Sequence, residues 1–236
     1  MSAQQAVSLG AEFEIVPSKT ALIVIDMNYV DSHRDYGVAP VVKALGLPAD
    51  AFFDRIDNTV IPNIQKLLAV FRKNGMQVLY TVIGAELPDL SDLPPSHQAL
   101  FRAGGLDRSI PGNKEFEIRD QVKPIEGELV LVKKSFGAFN STNIDQMLRN
   151  MGVDTIVVVG VVTNQCVFLT AADAGDRGYL TVVASDATAA LPPELQDVFL
   201  MVGSLAYFRV QTTDEVISRI EKALKLTTRR QGKWKT

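Results

Sequence analysis

At 236 residues, with one cysteine and a formal charge of −3, the chain is long enough to bury one substantial core and shows no basic footprint for nucleic acid or anionic lipid. Apolar residues at 47% and charged residues at 22% fit a soluble globular chain and exclude a disordered or fibrous one. No apolar run approaches the roughly 20 residues that cross a bilayer, the N-terminus lacks a basic-then-apolar leader, and a lone cysteine forms no internal disulfide, so a cytoplasmic protein is expected. After an N-terminal extension over 1–17, a first strand is expected at 20–26. The spacing of Phe53, Ile56, Val60, Ile64, Leu67, Leu68 and Phe71 then predicts a helix that Gly75 ends. Strands follow at 76–83 and 128–133, separated by a proline- and glycine-rich excursion over 84–113 that crosses one end of the sheet. Thr142 with Asp145 looks like a capping box opening a helix that reaches about Met151. A strand at 155–161, a helix over 164–178, a strand at 179–185, a helix over 193–205, a strand at 207–211 and a helix over 213–226 complete the series, with 227–236 left as a tail. Strands rich in Val, Ile, Leu and Tyr alternating with helices read as an α/β protein, one domain over 1–236 whose mainly parallel sheet is covered on both faces.

Ligands of such sheets sit beyond the carboxyl ends of the strands, where the strand order reverses. Three polar residues fall at such ends: Asp26 closes TALIVID, Lys133 closes ELVLVK, and Cys166 lies in the first turn of the helix after TIVVVGVV. A thiol nucleophile needs a proton acceptor and a positive field, because the thiolate is the reactive form. The start of a helix is expected to lower the thiol pKa and to offer backbone N–H groups to an oxyanion. Plainer readings exist for each residue. A lone cysteine is often core filler, an aspartate after a strand often caps a turn, and Lys133 beside Lys134 reads as a solvated edge.

The strings ALIVIDMN (21–28), KKSFGAFNSTNIDQML (133–148) and VVGVVTNQCVFLTAADAGDRGYLTVVASDATAA (158–190) resemble the isochorismatase-like cysteine hydrolases. The resemblance implies a doubly wound six-stranded sheet ordered 3-2-1-4-5-6, with Asp26, Lys133 and Cys166 as the catalytic set. It selects Lys133 over Lys134 because an aromatic residue follows six positions later at Phe139 and a threonine nine later at Thr142. It also implies a non-proline cis bond between Val161 and Val162, with the Val162 and Cys166 amides forming an oxyanion hole. Relatives of this kind form homodimers or homotetramers and act on small molecules without nucleic acid or membrane.

The expected activity is therefore hydrolysis of a linear C–N bond in a small amide, ureide or carbamoyl compound through a thioester-like intermediate, with release of ammonia and no cofactor. No metal is expected: metal-dependent nicotinamidases carry an Asp-x-His pair after the second strand, where this chain reads TVIGAELPDL, and His33 and His97 are its only histidines. PDLSDLPPSHQ and PIEGELVLVKK look similar to biuret and ureide amidases, although the glutamine those enzymes use for substrate falls on Ser204 here. A metal-free nicotinamidase- or maleamate-type amidase stays open, as does a non-catalytic member that uses the fold as a binding module. Candidate substrate contacts are Asn28, Tyr29, Phe136, Phe139, Gln165 and Tyr207, the aromatics among them being more often plain core packing; Arg209 could meet a substrate carboxylate, but an exposed edge arginine is the favoured reading.

Overall fold

The computed structural model describes residues 13–46 and 49–232, of which 227–232 are described as backbone alone. The expectations for 1–12 and 233–236 lie outside the described residues. Pro17–Lys19 makes a short turn into β1 (Thr20–Ile25), all six of whose residues are buried. α1 (Tyr29–Ser32), α2 (Val38–Ala44) and α3 (Ala49–Arg55) follow, and a π-helical turn over Ile56–Val60 carries the chain into α4 (Ile61–Lys73). β2 (Gln77–Ile83), α5 (Pro95–Ala103), β3 (Leu129–Lys133), α6 (Ala138–Ser141), α7 (Ile144–Asn150) and β4 (Thr155–Val161) come next. α8 (Phe168–Asp176), β5 (Leu180–Ala189), α9 (Leu195–Ser204), β6 (Arg209–Gln211) and α10 (Thr213–Gly232) complete the order.

The strands form one six-stranded, all-parallel sheet ordered β3-β2-β1-β4-β5-β6. Successive side chains of a strand point to opposite faces. Leu22 and Val24 of β1 accordingly pack with Phe53, Ile64, Leu67 and Ile220 from α3, α4 and α10. Ala21, Ile23 and Ile25 pack with Leu148, Ala171 and Leu200 from α7, α8 and α9 on the other face. Each fully buried Leu, Ile or Val contributes roughly 1.5–3 kcal/mol, so the two faces together hold the strand ends in fixed positions. Among the described residues no helix is long and apolar enough to cross a membrane.

Several local expectations change. The first long helix starts at Ala49, earlier than its apolar spacing suggested, and the excursion over 84–113 contains α5 and a small core of Ile83, Ala85, Leu90, Leu93 and Phe101. Thr142 does not form a capping box. Its hydroxyl accepts the Ile144 amide at 3.1 Å, while Asp145 turns outward to Tyr179 at 2.7 Å and to Arg149 at 3.0 Å. Two nearby cations and a phenol outcompete the backbone for that carboxylate. β5 runs on to Ala189 and α10 to Gly232, into the segment expected to be a tail. At the other end, Ile15 is buried in the core and Phe13 packs against it, so the last part of the extension belongs to the fold.

Candidate active site

The site is built where β1 and β4 lie side by side while their chains leave in opposite directions, which opens a crevice beyond their carboxyl ends. Gly160 permits that approach. A Cβ at this position would collide with the Ile25 carbonyl, and the β4–β5 register shifts at the same point. Asp26 turns out of β1 with φ 50, a left-handed conformation that aspartate tolerates, and its amide donates to the Thr81 carbonyl at 3.0 Å.

Three side chains meet there. Lys133 Nζ lies 2.7 Å from Asp26 Oδ2 and donates to Cys166 Sγ at 3.2 Å, and the Thr81 hydroxyl donates to Asp26 Oδ1 at 3.2 Å. All three are enclosed, with Lys133 at 0%, Asp26 at 1% and Cys166 at 5% exposure. β2 separates β3 from β1, so a long stem has to carry the ammonium across, and lysine supplies it. Lys134 takes a different role. It pairs with Asp92 at 2.8 Å and Glu86 at 2.9 Å, tying the excursion to the end of β3.

Cys166 sits in a π-helical turn, Thr163–Val167, that precedes α8, and the Val161–Val162 bond is cis. Polar side chains clamp this turn to the end of β5. Thr163 donates to Gln196 at 2.8 Å, Gln196 donates to Thr188 at 3.0 Å, and Asn164 pairs with the backbone of Leu191 at 3.0 and 3.1 Å.

The electrostatics correct one expectation. Burial pushes the Cys166 thiol well above its ordinary value; Lys133 pulls it back, and the Asp26 charge pushes it up again. The resting sulfur is therefore a thiol, and its pKa moves up where the helix start was expected to lower it. Burial likewise raises the Asp26 carboxyl, against the opposing pull of Lys133. Burial draws Lys133 down, yet Asp26 and the Cys166 sulfur together more than offset this, raise its pKa and hold it protonated. An acceptor, a held cation and a protonated nucleophile thus share one enclosed space.

Cys166 and Asp26 open onto a cavity of about 210 Å³ walled in part by α2, α3 and α5, among them Val42, Phe52 and Phe101, with Leu106 just beyond α5. The isochorismatase domain family matches this chain over residues 20–216. The chain belongs to that family. Ureidoacrylate amidohydrolase RutB of Rhizobium rhizogenes is 29% identical over 208 residues, covering 80% of this chain and 79% of the relative. A cysteine hydrolase from Pseudomonas syringae pv. phaseolicola is 28% identical with a TM-score of 0.76, over 90% of this chain and 97% of the other. N-carbamoylsarcosine amidase from Thermoplasma acidophilum is 28% identical with a TM-score of 0.62, over 83% and 97%.

The substrate contacts expected from sequence divide sharply in this isochorismatase-family chain. Phe136, Gln165 and Val162 line the cavity. Asn28 is fully buried behind it, and Tyr29 points away, donating to Asp120 at 3.0 Å. Phe139 packs on Tyr179 with ring centroids 5.6 Å apart. Tyr207 is 41% exposed and stands near Phe168, Arg209 lies over the Phe13 ring, and Ser204 donates to the Met201 carbonyl at 2.8 Å, all of them away from the cavity. Aromatic bulk settled Phe139 and Tyr29 into packing roles, which the sequence alone does not separate from ligand contact. Among the described residues no three His, Cys, Asp or Glu side chains are grouped to hold a metal ion.

The residue that sequence reading missed is Asp31. It lies on α1, lines the same cavity as Cys166, and interacts electrostatically with Asp26 and Lys133. Burial, with the Asp26 charge adding to it, pushes its carboxyl up to about 8. The one available signal was an acid five positions after Asp26 in a segment that has to turn inward. The raised pKa makes a stability prediction. The folded chain keeps a proton that the unfolded chain gives up above the ordinary 3.8, so the group's stabilising contribution is complete at low pH and drains away as pH climbs to about 8. Asparagine does not titrate. The Tm of Asp31→Asn is therefore expected to gain steadily on wild type between those two values and to hold a constant offset above them; a flat difference across the range would show that the group is not perturbed.

Proposed function

We propose that this protein is a cysteine amidohydrolase that cleaves the C–N bond of a small amide, ureide or carbamoyl compound and releases ammonia. The observation that carries the reading is the contact of Lys133 Nζ with both Asp26 and Cys166 at the floor of the cavity. The names of two relatives, a ureidoacrylate amidohydrolase and an N-carbamoylsarcosine amidase, support C–N chemistry.

Asp26 takes the thiol proton as Sγ bonds to the substrate carbonyl carbon, and Lys133 offsets the negative charge as it moves from carboxylate to sulfur and back. The carbonyl π electrons move to oxygen, where the Val162 and Cys166 amides receive them; one such donor is worth roughly 10²–10³ in rate. Asp26 then passes its proton to the departing nitrogen, the C–N bond breaks, and ammonia leaves a thioester. Water adds to the thioester carbonyl while Asp26 accepts its proton, the C–S bond breaks, and the proton returns to sulfur. A raised Asp26 pKa suits a group that must accept and return a proton.

The test is a mass spectrum of the enzyme quenched during turnover. Acylated protein with the added mass on the Cys166 peptide is expected, together with hydroxamate formation when hydroxylamine replaces water. Ammonia release with no adduct and no hydroxamate would overturn the covalent route.

A further inference from the structure

We propose that Asp31 sets the substrate class: the cavity takes a small, uncharged amide with an apolar body, hydrogen-bonded by Asp31 Oδ1, and turns carboxylate-bearing substrates away. The proposal rests on the amidohydrolase reading above and narrows it. Three observations carry it. First, a cavity of about 210 Å³ is below the roughly 300–1,000 Å³ of drug-sized ligand sites, so its occupant has few heavy atoms.

Second, the lining contains no arginine, lysine or histidine among the described residues; its polar members are Asp26, Asp31, Gln165 and Cys166. The nearest cation, Lys133, is already paired with Asp26. A substrate carboxylate brought in here would lose its water and find no cation of its own, a costly exchange.

Third, Asp31 is aimed. With its amide oriented to satisfy two acceptors, the fully buried Asn28 donates to Asp31 Oδ2 at 2.8 Å and to the Asp26 carbonyl at 3.1 Å. No described donor meets Asp31 Oδ1, and the hydrolytic cycle makes no use of it. The charged groups that face Asp31 are Asp26 and Lys133, with the Cys166 thiol beside them. Near neutrality the acid is protonated and gives the substrate a hydrogen bond without adding charge. At higher pH its carboxylate repels an anionic substrate.

The test pairs butanamide, pentanamide and hexanamide with succinamate, glutaramate and adipamate, which keep the scissile amide and exchange the terminal methyl for a carboxylate. Values of kcat/KM from ammonia release near pH 7 are expected to favour the uncharged member by about tenfold or more, since one uncompensated buried charge easily exceeds the free energy of a tenfold ratio. Ureidoacrylate and N-carbamoylsarcosine, both carboxylates, are expected to be poor substrates, while the uncharged butylurea stays within the class. Near pH 9 the ratio is expected to widen several-fold in wild type and to stay unchanged in Asp31→Asn. Equal or better cleavage of the carboxylates, or a widening that survives in Asp31→Asn, overturns the proposal. If no amide is cleaved, the amidohydrolase reading fails, and calorimetric binding of the same pairs to Cys166→Ser decides the present one. Preference for the uncharged members supports it; equal binding, preference for the carboxylates, or no binding of either overturns it.

Discussion

Cys166→Ala is expected to lose ammonia release from every substrate the wild type cleaves, by a factor on the order of 10⁴ or more, as removal of a covalent nucleophile does elsewhere. Cys166 is the chain's single cysteine, and its sulfur lies on the cavity within reach of both Lys133 and Asp26. The substitution removes one buried atom and leaves the Asp26–Lys133 ion pair whole, so about 1 kcal/mol of stability is at stake. A melting curve close to wild type, run beside a coupled ammonia assay, separates chemistry from folding. Cys166→Ser is expected to be almost as inactive, because a hydroxyl is far less acidic than a thiol and the Asp26 acceptor is tuned to sulfur. Residual turnover above about a hundredth of wild type in the alanine variant would mean that water is activated directly and that the thiol is a bystander, which the scale of covalent catalysis does not allow.

The parallel sheet was legible because doubly buried strands leave unbroken runs such as TIVVVGV, and the helices between them keep their apolar spacing. The placing of Asp26, Lys133 and Cys166 at strand ends was legible too, since topology alone puts strand ends together. Elements whose form depends on tertiary contact were hidden. The π-helical turn around Cys166 is held by Gln196 and Leu191 from the far side of β5, and nothing in TNQCV itself announces it. α1 and α2 are short, and α1 has no apolar repeat to read. Asp31 was invisible for the same reason: the cavity it lines is walled in part by α2 and α5, whose residues the local sequence does not connect to it. The direction of the thiol pKa was misjudged because a helix start is a local cue, whereas the desolvation that outweighs it is a property of the closed cavity.

Asp26→Asn is expected to move two rates in opposite directions. Hydrolysis falls by roughly 10²–10⁴, the range a positioned acid–base group contributes, because no acceptor remains for the thiol proton and no acid for the leaving nitrogen. Alkylation of Cys166 by iodoacetamide, slow in wild type, becomes faster. The carboxylate raises the thiol pKa by its charge and as a hydrogen-bond acceptor, while Lys133 lowers it, so removing the carboxylate leaves the Lys133 pull set against burial and the smaller push of Asp31. Below its pKa a thiol gains about tenfold in thiolate for each unit the pKa falls, and the weaker nucleophilicity of the more acidic thiol returns part of this, for a net gain of roughly threefold per unit. Lys133 then has the sulfur as its main acidic partner, which shifts the balance toward the thiolate. Asparagine keeps the shape and one acceptor for Thr81, so the fold is expected to survive. A purely structural Asp26 would slow both reactions together as the site loosened, and slower alkylation alongside lost hydrolysis would remove the proton-transfer role assigned to it here.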